Sequence, residues 1–410
     1  MKALLYWKPR PAGASLLFLF IFTFIFALTA CVGSTESNTR TSPQSHGRAT
    51  ASSTTAANTN SATPTTQIIL GGQPCPAAVS APSHWDSIVG TQNGVSTVEG
   101  VSCATLMGVP VLQALVTVRY VGTGSNLDVY VFNNIADASP VQLFKLQGLN
   151  KGDARISAYS TILTAEVDLG SSVNSNQPDT GVVQDLFREF KWSGGAGTFV
   201  QVTFPGIFPD LTRYQAEADQ EQVNQGHQPW KLDADMTANA LAVYMLKWST
   251  SARATTVSGG GSRDLDAVVT VNSTSPGGGT ITVTLSRLEG NSNGGIWEAT
   301  SVQAGNVATI TAPVNRDLLT SPVTVAGIGP APGGSIGRVM ILDHLYNAIG
   351  RADVTGTTGT GNGNTTFSVS VTYQTTFRGG AEEGVVALYI DNHADGSIAT
   401  AVMEKELLGG

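Results

Sequence analysis

Ala114-Leu-Val-Thr-Val-Arg-Tyr-Val121, then Gly122-Thr-Gly-Ser-Asn126, then Leu127-Asp-Val-Tyr-Val-Phe132 is the stretch from which the fold class can be read. Two runs that alternate apolar and polar residues, rich in β-branched and aromatic side chains, flank a Gly/Asn turn. That is the signature of an antiparallel hairpin. The same pattern recurs at 141–146, 156–167, 186–192 and 199–204, with Gly-rich or Asn-rich breaks between the runs. Sequential short strands joined by brief turns predict an antiparallel meander over 67–228. The prolines of Phe204-Pro-Gly-Ile-Phe-Pro209 end the last strand, and a helix follows from Thr212 to Gly226. Thr212 with Gln215 forms its capping box and Gly226 supplies its stop. Its apolar positions, Leu211, Tyr214 and Ala218, form a narrow stripe, and Glu217, Asp219 and Glu221 read as solvated charge.

Downstream the pattern changes. Asp233 to Lys247 places Met236, Ala240, Val243 and Tyr244 at helical spacing, and three alternating runs follow at 265–271, 281–288 and 296–302. One helix on a three-stranded sheet is the simplest packing, giving a small α+β unit over 229–304. Trp248 and Trp297 read as core at element ends, with a groove lining as the alternative. From 305 to 410 there are seven short β runs in about a hundred residues, the density of a β-sandwich. The fold class is therefore mainly β.

Composition agrees. Hydrophobic residues make up 41% and charged residues 13%, a mix of short strands and turns rather than long surface helices. The formal charge is -8, and the first thirty residues hold Lys2, Lys8 and Arg10 and no acid, so the remainder carries -11. Such a chain repels nucleic acid and anionic headgroups.

The first thirty residues form a leader: basic residues, an apolar run from Leu16 to Leu28, then Leu28-Thr29-Ala30-Cys31. Thirteen helical residues span roughly 20 Å, short of the roughly 30 Å hydrocarbon core, so the run reads as a signal-peptide segment. Leu-Thr-Ala-Cys resembles the lipobox of bacterial lipoproteins. By that resemblance Cys31 is the lipidated first residue of the mature protein, held to the outer face of the cell membrane by its acyl chains. Residues 31–66 are Ser, Thr, Asn and Ala with almost no large apolar side chain, a disordered tether. A flexible coil of that length reaches about 30–35 Å, enough to carry the folded part into the wall.

Cys75 and Cys103 remain once Cys31 is set aside. In an exported chain a disulfide is the default. Zinc is the weaker alternative, since His84 stands as a lone third ligand.

Ile310-Thr-Ala-Pro313, Ser321-Pro-Val-Thr-Val-Ala-Gly327, Phe367-Ser-Val-Ser-Val371 and Asp395-Gly396 resemble the immunoglobulin-like domain of bacterial spore-germination proteins. The resemblance implies an immunoglobulin-like sandwich over 305–410 and an accessory envelope role linked to spore germination, without catalytic residues. Pro330-Ala-Pro-Gly-Gly334 departs from it by lengthening a connection.

Three local motifs carry chemistry only in the right context. Gly333-Gly-Ser-Ile-Gly337 matches a nucleophile elbow, but a Pro/Gly loop precedes Ser335 and a strand follows, and the nearby His344 has no acid at motif spacing. Asp391-Asn-His-Ala-Asp-Gly396 begins like a calcium loop, but Val402 stands where a bidentate Glu is needed. Gly356 to Gly363 lacks the strand and helix of a phosphate cradle. No cofactor is implied. Two functional classes follow: a non-catalytic lipoprotein that binds a wall polymer, a peptide or another envelope protein, or an envelope hydrolase whose site is built from loops without a linear motif.

Overall fold

A computed structural model describes residues 71–290, 294–331, 334–356, 358–359, 363–392 and 395–410. Cys31, the leader and the tether lie outside the described residues. So does much of the Gly356–Gly363 run.

Two short helices open the described chain, α1 (Ala77–Ser80) and α2 (Pro82–Val89). Pro82 starts α2 and Gly90, at φ 75°, ends it by donating its N–H to the Asp86 carbonyl. A first four-stranded sheet follows, β1 (Ser96–Ala104), β2 (Gln113–Tyr120), β3 (Leu127–Asn133) and β4 (Val141–Leu149), in sequential antiparallel order. The hairpin read from the sequence is β2–β3, registered Val116 to Tyr130. A second sheet repeats the arrangement with β5 (Asp153–Ile156), β6 (Ile162–Glu166), β7 (Leu186–Ser193) and β8 (Thr198–Val202). The region is thus two meanders rather than one. Val129, Val131, Phe144, Ile162, Phe190 and Phe199 fill the space between them. Trp85 of α2, fully buried, seals the other face of the first sheet with Val116, Val118 and Phe132.

Cys75 and Cys103 are bonded, with Cα atoms 5.0 Å apart, and the bridge ties the chain before α1 to β1. His84 packs edge-on to Trp85, and no zinc set forms there.

Helix α3 (Arg213–Asn224) starts where Thr212 accepts the Gln215 N–H. Helix α4 (Ala234–Met245) starts where Asp233 accepts the Met236 N–H. The strands β9 (Arg253–Gly259), β10 (Asp266–Asn272), β11 (Thr280–Ser286) and β12 (Glu298–Gln303) give the sheet under α4 four members, since β9 joins the three expected. The carboxy-terminal strands are β13 (Thr309–Ala312), β14 (Leu318–Leu319), β15 (Val323–Pro330), β16 (Ser335–Leu342), β17 (Ala348–Thr355), β18 (Thr358–Gly359), β19 (Asn364–Val371), β20 (Ala381–Asp391) and β21 (Ile398–Gly409).

These strands form two sheets. One has the order β13-β15-β19-β18; the other runs β17-β16-β20-β21-β12-β11-β10-β9, with β14 parallel to β21. The second sheet is therefore continuous across position 304, where a domain boundary was expected. The described residues form one unit. Alternation in β20 shows why: Val385, Ala387 and Tyr389 face the core under α4, while Val386, Leu388 and Ile390 face the core shared with β15 and β19. Covered on both sides, the stretch 385–390 is apolar throughout. The result is a sandwich on one face of the long sheet and α4 on the other.

Candidate functional site

Both helices seat differently from the expectation. On α3 the buried residues are Ala216, Glu217, Gln220 and Val223, so Glu217 is not solvated: it is 2% exposed and pairs with Arg155 at 3.0 Å. Asp219 forms an ion pair with Lys231, and Glu221 alone of the three is exposed. On α4 the buried residues are Ala234, Thr237, Ala238, Leu241, Ala242 and Met245, while Met236 and Tyr244 are 56% and 50% exposed. The stripe expected to be core faces outward. Small side chains let α4 lie close to the sheet, and the bulky ones are left outside.

The polar face of α3 belongs to a seam between the second meander and the long sheet. Arg213 binds Glu189 through Nε at 2.9 Å and also pairs with Glu289. Burial, together with the neighbouring carboxylates, outweighs Arg213 and pushes Glu289 up to about 8. Lys405 is fully buried and donates to the carbonyls of Gly206, at 3.0 Å, and Leu211, with Glu383 at 3.2 Å. Two of its donors are satisfied by backbone and its charge is met by Glu383. Burial pushes Glu383 up to about 7 and Lys405 down. His344, read from the sequence as lacking an acid, is buried against two: its Nδ1 meets Glu382, and its Nε2 lies 3.8 Å from Asp185. Burial alone would lower the imidazole; the facing carboxylates of Asp185 and Glu382 reverse this and raise it to about 10. A charged imidazolium clamped by two carboxylates at 4% exposure is a structural tie. Ser335, at the exposed start of β16, is not among its partners.

Trp248 and Trp297 are both core. Trp248 donates its indole N–H to the Ile398 carbonyl at 2.7 Å, and Arg287 lies 4.2 Å over the Trp297 ring. Between Asp391 and Ser397 the chain turns from β20 to β21, with Asn392 N–H donated to the Ser397 carbonyl at 2.7 Å. Among the described residues no group of three His, Cys, Asp or Glu is placed to hold a metal. No helix among them is long and apolar enough to cross a membrane.

The outward face of α4 leads to a cleft of about 270 Å³ between its carboxy-terminal end and the long sheet. Its floor is Met245, Met340, Leu342 and Ile398; its walls are the rings of Tyr244, Tyr346 and Tyr389, with Lys247 and Arg338 on the rim. Tyr346 donates its hydroxyl to the Ile207 carbonyl at 3.0 Å, and Tyr389 reaches the Met245 carbonyl at 3.5 Å. Hydroxyls tied to backbone hold the rings in place. Tyr244 and Tyr346 meet edge to face at 5.7 Å, a favoured aromatic geometry. Each cation lies over a tyrosine: Lys247 is 5.0 Å above Tyr244 and Arg338 5.6 Å above Tyr389. Arg338 is also paired with Asp391. Lys247 and Tyr346 hold left-handed backbone, φ 58° and 62°. Such conformations cost about 1–2 kcal/mol each in residues with a β-carbon and gather at binding sites.

A wider cleft of about 590 Å³ lies on the first region, where the turn Thr105–Pro110 faces Tyr159, Lys191 and Trp192. One face of Tyr159 is taken by Arg213 at 4.2 Å, and its hydroxyl is donated to the Leu288 carbonyl at 2.7 Å. This cleft has more volume but a single cation on its lining.

No family model matches the chain, and a search of curated proteins finds no similar sequence. The functional reading therefore rests on residues and geometry.

Proposed function

We propose that this protein is an extracytoplasmic lipoprotein, lipidated at Cys31, that acts as a non-catalytic binding module of the cell envelope. The tyrosine cleft beside α4 is its binding surface. That cleft is the observation that carries the reading: apolar floor, three immobilised rings and two cations on a rigid sheet make a site that holds a ligand rather than transforms one. His344 and Glu382, the pair whose chemistry would suit acid–base work, are buried in the seam. The immunoglobulin-like resemblance of 305–410 supports an accessory envelope role, because the cleft's floor is built on strands of that region.

The test has two arms. Cys31→Ala is expected to leave the membrane fraction; retention there at unchanged size would contradict lipidation. The full chain in detergent micelles is expected to retain a component of purified envelope, and Tyr244→Ala to lose it. Equal retention by both would contradict the site.

A further inference from the structure

The lining of the tyrosine cleft contains Lys247 and Arg338 and no carboxylate. The chain around it has 30 acidic residues against 22 basic ones. Asp391 pairs with Arg338, so Lys247, which no carboxylate pairs among the described residues, is the cation left at the mouth to meet an anion.

The rest of the cleft describes the body of the ligand. The Tyr346 hydroxyl is engaged by a backbone carbonyl, so this half-buried residue offers ring surface, as does the exposed Tyr244, while Tyr389 is buried behind them. Ring surface accepts the C–H face of a pyranose, a flat apolar patch on an otherwise polar molecule. The volume, about 270 Å³, falls below the roughly 300–1,000 Å³ of sites for drug-sized ligands, so the cleft takes one residue of a polymer. Tyr244 and Lys247, both exposed at the mouth, leave room for the chain on either side of that residue.

From these observations, and resting on the binding role argued above, we propose that the cleft binds a single oxyanion-bearing sugar residue within an envelope glycan. The ring stacks on Tyr244 and Tyr346, and the oxyanion meets Lys247 beside the Arg338–Asp391 pair. A carboxylate and a phosphate ester present the same chemistry to this cation.

The full chain in detergent micelles is titrated with three probes: an oligomer of hexuronic acid, a hexose-phosphate polymer and a neutral N-acetylhexosamine oligomer. At least one anionic probe is expected to bind ten-fold or more tightly than the neutral one, and which of the two does so identifies the source of the oxyanion. Lys247→Gln, an exposed change that leaves the fold intact, is expected to weaken that probe about ten-fold and leave the neutral one unchanged. Equal binding of neutral and anionic probes, or no effect of Lys247→Gln, overturns the proposal. Retention of crude envelope material through Tyr244 with no binding of either anionic probe overturns the ligand class alone. Loss of that retention in the unmodified chain overturns the binding reading beneath it.

Discussion

Helices α3 and α4 are each twelve residues long, each capped by a side-chain oxygen, and each docked on a sheet, yet they bury opposite kinds of surface. α3 turns Glu217 and Gln220 inward and stands in a seam where Arg155, Arg213 and Lys231 supply counter-charges. α4 turns alanines and Leu241 inward and presents Met236 and Tyr244 to solvent. The difference teaches what an inverted amphipathic pattern means. Where polar side chains go in, two regions of one chain are being locked together by ion pairs whose removal leaves an uncompensated charge. Where large apolar side chains stay out, there is a surface still waiting for a partner.

The largest effect should come from the polar helix. Arg213→Met leaves Glu189 and Glu289 buried without their cation, and a loss of about 3–5 kcal/mol in denaturant unfolding is expected. A loss under about 1 kcal/mol would mean that the seam is not a lock. On α4 the buried contact is apolar, so Leu241→Ala should cost about 2–5 kcal/mol with the same value at pH 5 and pH 8. A marked pH dependence there would blur the contrast between the helices.

Next comes the pH profile of the unmodified chain. Glu289, raised to about 8 when folded, holds its proton more tightly folded than unfolded, so its contribution favours folding in acid and is lost as pH rises from the ordinary carboxylate range toward 8. His344, raised to about 10, contributes stability that is complete below its ordinary value and lost as pH rises through 10. Both signs agree: calorimetry should find a higher Tm at pH 5 than at pH 8.5, and Glu289→Gln should shrink the gap. A Tm that rises over this interval would contradict the seam's electrostatics. The smallest effect on stability belongs to the outer face of α4. Tyr244→Ala should change unfolding free energy by under about 1 kcal/mol while removing binding, since half of its side chain is already in solvent.

Much of the architecture was legible in local pattern. The β2–β3 hairpin follows from Ala114 to Phe132, and the capping residues Thr212 and Asp233 mark both long helices. The Cys75–Cys103 bond was legible from the scarcity of cysteine together with the leader's expected role. α2 went unread although Pro82 and Gly90 punctuate it, because its apolar content is little more than Trp85 and Ile88. The seam was not legible because its pairs are remote in sequence: Lys405 donates to carbonyls at 206 and 211, and His344 faces Asp185. Periodicity alone cannot tell which stripe of α4 is inside. Met236 and Tyr244 are the larger hydrophobes, but close approach to a sheet favours alanine, and the cleft's residues Arg338, Tyr346 and Tyr389 come from strands and turns a hundred residues later.

The account's central claim is that the ligand sits on the tyrosine cleft and not elsewhere, and amide hydrogen exchange on the full chain with and without purified envelope glycan tests it most directly. Protection confined to the segments around Tyr244–Trp248 and Leu345–Ala348 is the predicted result. Protection at Thr105–Pro110 and Lys191–Trp192, with the α4 end unchanged, would place the ligand in the wider cleft and contradict the claim.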